Sequence, residues 1–226
     1  MPRDAPIIED HVGIIGTCFG CDAPTARSIA AQARHLHYGP RDTIVLPGDG
    51  AQDAWIMLVG ESHAVLFSAT GQLLLIHRFE PGDLFGNATG VPAMSEGTHV
   101  VAVQPTEVGR FRALDFIMLV ERHSCVAAAV MKALTRRLGE ITRRMIEVST
   151  LSATGRVHAE LLRQARLADG RTIHPAPVLA EMALTVQSTR ETVSRTINAL
   201  ERAGIIQRSP ESLVIIAPHR LEELVY

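Results

Sequence analysis

The segment STRETVSRTINAL places Arg190, Glu191, Ser194 and Arg195 at i, i+1, i+4 and i+5. On a helix that spacing puts them on the face opposite Val193, Ile197 and Leu200. These are side chains suited to base edges: Arg donates two parallel hydrogen bonds to guanine O6 and N7, and Glu accepts from cytosine N4. Ser188, Thr189 and Thr192 fall near the start of the same helix, where hydroxyls can bond phosphates and the macrodipole favours an anion. The bland alternative is a solvated charged face of the kind any surface helix carries.

A second set of reactive residues lies at the other end of the chain. Cys18 and Cys21 form a C-x-x-C, with Cys125 far along the sequence. Three cysteines cannot build a disulfide framework, so the readings are free thiols, a redox dithiol, or a metal or iron-sulfur site completed by His11, His35, His37 or Cys125. His63, His77 and His99 lie on or beside predicted strands, as haem-ligand candidates or as ordinary surface and hydrogen-bonded residues. There is no phosphate-binding glycine loop, no four-ligand zinc spacing and no nucleophile elbow. No catalytic residue, enzyme activity or metal site is therefore assigned; Cys18 and Cys21 stand as the candidates for a metal.

The elements that must position the first set are legible. Ser152 or Thr154 caps a helix that runs to about Ala168 and is ended by Gly170, Pro177 starts a short helix, and Ser188 or Thr189 caps a longer one that stops at Gly204. Leu179, Met182 and Ala183 give the short helix its apolar face, and Thr185 to Gln187 form the tight turn after it. IIQRSPESLVII then reads as two short strands. The order helix, helix, turn, helix, wing is a winged helix-turn-helix, whose second motif helix enters the major groove.

Upstream, Ala127, Met131, Leu134, Leu138, Ile141, Met145 and Val148 follow a 4-3 spacing with Arg and Glu on the other faces. A narrow seam of this kind fits a two-stranded coiled coil and hence a homodimer; a helix packed on its own domain is the alternative. From Thr43 to Phe111 short β-rich runs are separated by Gly, Pro, Asp and Asn, with Gly48, Gly71 and Gly82 in turns, which predicts an antiparallel jelly-roll barrel. The expected class is α+β: an N-terminal extension (1–22), a barrel (23–122), a dimerisation helix (123–150) and a winged helix-turn-helix (151–226).

The 226 residues carry 22 Lys+Arg against 24 Asp+Glu, a formal net charge of -2, with 46% hydrophobic residues. Taken whole, that near-neutral total argues against nucleic acid. It is an average, because residues 1–122 carry 8 basic and 14 acidic side chains, residues 123–150 carry 5 and 2, and residues 151–226 carry 9 and 8. DNA affinity is then expected to rest on a few placed arginines, with a modest salt slope. No apolar run approaches the roughly 18 residues of a membrane span, and no basic region precedes an apolar core at the N-terminus, so a cytoplasmic protein is expected.

A barrel ending in GDLFGN, a long helix leading into SATGRV, then STRETVSRTINALERAGII together resemble the Crp-Fnr superfamily of bacterial transcription regulators over about residues 25–220. The resemblance implies a cyclic-nucleotide-binding-like barrel, a homodimer, double-stranded DNA as ligand and RNA polymerase as a candidate partner. It also implies TTGAT-like half-sites, from the pattern Glu191, Ser194, Arg195. The effector positions would be Gly86, Asn87, Gly97 and Thr98 of the barrel and Ile141 and Thr142 of the helix. Where the family's cyclic-nucleotide binders carry an Arg for the phosphate, this chain has Gly97, so cyclic AMP is not expected. The effector stays open. An iron-sulfur or haem sensor remains an alternative, although the haem-ligand positions of the carbon-monoxide sensor branch correspond to Gly86 and Ala88, which ligate no iron. A third reading is a ligand-binding module without specific DNA recognition.

Overall fold

In the computed structural model, residues 3–47, 52–67, 73–86 and 97–225 are described. They form β1 (Arg3–Asp4), α1 (Glu9–Phe19), α2 (Ala23–Ala30), β2 (Arg34–Tyr38), β3 (Thr43–Val45), β4 (Asp53–Val59), β5 (Ser62–Phe67), β6 (Leu73–Phe79), β7 (Leu84–Gly86), β8 (His99–Ala102) and β9 (Thr106–Arg112). There follow α3 (Ala113–Arg122), α4 (Ser124–Thr150), α5 (Ala153–Arg166), β10 (Thr172–Ile173), α6 (Leu179–Thr185), α7 (Arg190–Arg202), β11 (Ile206–Arg208), β12 (Leu213–Ile215) and α8 (Pro218–Glu223). The chain divides into two compact units, 1–138 and 139–226, within α4.

In the first unit two antiparallel sheets, ordered β1-β2-β9-β4-β7 and β3-β8-β5-β6, enclose a core of Leu36, Trp55, Met57, Phe79, Phe85, Val100 and Val108. Strand β4 reads as a continuous apolar run because it is covered on both faces. Trp55 and Met57 point between the sheets, while Ala54, Ile56 and Leu58 pack with α1, α2, α3 and the start of α4. Gly82, at φ 93, makes the turn before β7 and its N–H donates to the Met57 carbonyl. Gly48 and Gly71 lie outside the described residues.

The described part of the N-terminal extension, residues 3–22, folds as β1 and α1. His11, Val12, Ile15 and Phe19 of α1 are buried, and α2 is capped by Asp22, whose carboxylate accepts from the Thr25 N–H at 3.0 Å. The physical reason is that these two helices cover the outer face of β4.

Helix α4 carries two different stripes. Val126 and Val130 are buried in the core of the first unit, whereas Met131, Leu134, Leu138, Ile141, Met145 and Val148 are 43% to 66% exposed. In the second unit α5, α6, α7, α8 and the sheet β10-β12-β11 share one core that includes Val157, Leu161, Met182, Val193, Ile197, Leu200 and Leu213. No helix among the described residues is long and apolar enough to cross a membrane.

Candidate nucleic-acid interface

The second unit builds its interface from the turn between α6 and α7. Ser188 N–H donates to the Ala183 carbonyl at 2.9 Å, closing the helix end, and Gln187 takes the left-handed conformation at φ 49. Glycine usually fills that position because a Cβ is strained there. A partly buried side chain holds the turn instead. The Arg156 guanidinium donates to the carbonyls of Val186 (2.8 Å), Gln187 (3.1 Å) and Leu151 (3.1 Å), so one α5 side chain binds both the turn and the residue following α4.

Thr189 caps α7, its hydroxyl accepting from the Thr192 N–H at 3.1 Å. Val193, Thr196, Ile197 and Leu200 are buried, which turns Arg190, Glu191 and Arg195 to solvent and leaves Ser188, Thr192 and Ser194 half-buried. Glu191 and Arg195 are spaced as a favourable i,i+4 pair, yet neither they nor Arg190 make a hydrogen bond or ion pair with any described residue. The neighbouring charges behave otherwise. Arg208 of the wing donates to Asn198 (2.8 Å) and Glu201 (3.0 Å) of α7, and this hydrogen bond holds the Glu201 carboxyl below its ordinary range. Helix α7 and the strand after it are thereby braced while the side chains of Arg190, Glu191 and Arg195 stay uncommitted.

Residues 155–224 match the Crp-like helix-turn-helix domain family. A cyclic AMP receptor protein of Thermus thermophilus is 27% identical over 183 residues, 81% of this chain and 84% of that protein. The transcriptional activatory protein AadR of Rhodopseudomonas palustris is 26% identical over 198 residues, 85% and 81% of the two chains. The matched domain and these relatives support a place in the Crp-Fnr superfamily. A CooA mutant from Carboxydothermus hydrogenoformans shares the fold of this chain with a TM-score of 0.77 at 17% identity, covering 88% of this chain and 90% of that one. This protein is a DNA-binding transcription regulator, and its relatives are regulators rather than enzymes.

The expected effector residues are placed as follows. Gly86 ends β7 at φ 79, where an added Cβ would meet the Asp53 carbonyl and the Trp55 ring. Gly97, at φ 89, and buried Thr98 lead into β8, and Ile141 and Thr142 are exposed on α4 in the second unit. Asn87 and Ala88 lie outside the described residues.

All three cysteines are partly buried against the apolar cluster of the first unit. Burial pushes the Cys18 thiol up to about 12 and raises the Cys21 thiol as well. His11 is stacked on His35 at 5.3 Å with Nε2 2.8 Å from a Glu107 carboxylate oxygen; His37 is 3.6 Å from the same carboxylate. His63 pairs with Glu61 at 2.6 Å, His77 packs edge-on to Phe79 and His99 to Phe67. Among the described residues no three His, Cys, Asp or Glu side chains converge as a metal set.

Sequence reasoning missed Arg156, Arg208 and α8. Arg156 sits inside the SATGRV string, but its partners are far away in sequence, so no local pattern announces its role.

Proposed function

We propose that this regulator acts as a homodimer on a palindromic operator with TTGAT-like half-sites, without cyclic AMP. The observation that carries the reading is the uncommitted state of Arg190, Glu191 and Arg195 on the exposed N-terminal half of α7. A buried or surface-structural role would have paired them, whereas base readout requires free donors and acceptors. Ser188, Thr189, Thr192 and Ser194 complete the set, the hydroxyls serving phosphates beside the helix start.

The exposed seam Met131, Leu134, Leu138, Ile141, Met145 and Val148, continued by half-buried Ala127, supports pairing with a second copy. Two-fold symmetry then sets the half-sites about one helical turn apart. Gly97 supplies no cation for a buried phosphate, which argues against the prototype ligand. Gly86, Asn87, Gly97, Thr98, Ile141 and Thr142 remain the candidate effector residues, and RNA polymerase the candidate protein partner.

Selection from random duplex oligonucleotides by the purified protein tests the reading. Recovery of a palindrome without added nucleotide supports it; recovery of no symmetric motif, or only with cyclic AMP present, overturns it.

A further inference from the structure

Strand β2 sets His35 and His37 on one face of its sheet, and β9 brings Glu107 directly opposite His37 in the antiparallel ladder. Helix α1 lays His11 over that face. The His11 and His35 rings stack at 5.3 Å with an interplanar angle of 22°, and the two residues are 0% and 4% exposed. Nε2 of His11 stands 2.8 Å from one Glu107 oxygen, and Nδ1 of half-buried His37 stands 3.6 Å from the other. His35 donates from Nε2 to the Ala30 carbonyl at 3.0 Å. Its Nδ1 and both ring nitrogens of His11 are buried without a hydrogen bond of normal geometry. Docking α1 therefore carries a polar penalty, which the burial of Val12, Ile15 and Phe19 offsets.

An added proton enlarges that penalty. Glu107 is the carboxylate within ion-pair reach of the stack among the described residues, and it is shared with His37. Neighbouring charges are engaged elsewhere: Glu9 of α1 with Arg27 of α2, Arg34 of β2 with Asp4 of β1, and Arg110 of β9 with Asp53 of β4. Arg3, across the ladder from His37, and Asp10 of α1 are exposed. Burial holds the His35 ring below its ordinary 6.5 despite the Ala30 hydrogen bond, and His11 beside it acts in the same direction as burial. A second positive charge in the stack thus meets a low-dielectric site and a carboxylate that already serves two other rings.

We propose that α1 is a proton-operated cover: acidification charges the His11–His35 stack and frees α1 from the sheet, while the strands beneath keep their pairing. The covered state is complete above pH 6.5 and is lost progressively as the pH falls from there through the lower value that His35 has in the fold. Val12 and Ile15 share their apolar cluster with Val126 and Val130, so release of α1 also uncovers the first turns of α4, the helix that carries the exposed seam. The cover does not rest on the operator reading.

Amide hydrogen exchange of the full chain, read by mass spectrometry at about pH 7.5 and about pH 5.5 and normalised to the intrinsic rate at each pH, tests this. Peptides of α1 should lose protection by about tenfold or more at the acid pH, while those of β4 and β9 change by less than about twofold. His35→Gln, which keeps an amide donor for the Ala30 carbonyl and takes up no proton, should hold the loss in α1 below about threefold. Glu107→Gln, which removes the carboxylate of the stack, should move the release to higher pH. Protection of α1 that persists at the acid pH, or that falls only in step with β4 and β9, overturns the proposal. So does a release unaltered in His35→Gln, or one that stays put or moves to lower pH in Glu107→Gln. The wild-type comparison of α1 with the strands decides even where a variant folds poorly.

Discussion

The guanidinium of Arg156 reaches from α5 to the backbone carbonyl of Gln187, 3.1 Å away, at the one non-glycine residue among the described residues of the second unit that takes a left-handed backbone. The contact ties the turn before α7 to α5. Arg156→Ala leaves three carbonyls without their charged donor and should destabilise the second unit by about 2 kcal/mol. Gln187→Gly, which removes the Cβ strain, should recover up to about 1 kcal/mol. Thermal unfolding of both variants checks this; an unchanged midpoint in Arg156→Ala would sink it.

Arg195→Ala and Glu191→Ala should each cost about 1 to 3 kcal/mol of operator affinity and relax preference at one base pair. Neither side chain is engaged elsewhere in the fold, so the melting temperature should stay within the wild-type error. Fluorescence anisotropy against singly substituted operators reads the first effect and calorimetry the second. A variant that loses stability together with affinity would show that the face is structural.

A charge placed in the α4 seam should separate the protomers. Leu138 is 66% exposed in the single chain, and Leu138→Asp would bury an unpaired carboxylate wherever two seams meet, at a cost of several kcal/mol. Sedimentation should show a shift from dimer to monomer at micromolar protein, with operator binding weakened in parallel. An unchanged dimer would place the interface elsewhere.

The imidazole N–H at Nδ1 of His158 donates to the Leu224 carbonyl at 2.8 Å, and burial lowers its pKa from the ordinary 6.5. The folded state therefore holds the neutral ring, and below pH 6.5 the unfolded chain binds the proton more readily than the folded one. This contribution to stability is complete above that pH and is lost as the pH falls through the folded value. Urea unfolding at stepped pH should show a loss of stability below 6.5 that His158→Gln reduces. His35, buried and lowered for the same reason, adds a parallel loss in the first unit, so the comparison is made on unfolding of the second unit.

Residue patterns with a short period were readable in advance. The 3.6-residue repeat of α7, its Thr189 cap, the stop at Gly204 and the seam of α4 are local signals, and the structure carries them where the spacing implies. Helix α1 was illegible because Gly13 and Gly16 interrupt its pattern and no side chain caps its start. An added Cβ at Gly16 would stand 3.5 Å from the Ala26 Cβ, an ordinary contact, so the packing of α1 on α2 does not itself demand the glycine. The contacts of Arg156 with the turn join residues far apart in the chain, and a single sequence holds no periodic trace of them.

The bracing of the second unit also bears on how the protein finds its site. Three of the nine arginines in residues 151–226 are occupied by carboxylates, Arg163 by Glu160, Arg166 by Glu222 and Arg208 by Glu201. A surface that spends its cations internally holds random duplex only briefly, since counterion release from such DNA drives sliding. Arrival at the operator would then be governed by repeated collision from solution rather than by travel along the duplex, and the occupancy of each site by the number of dimers in the cell.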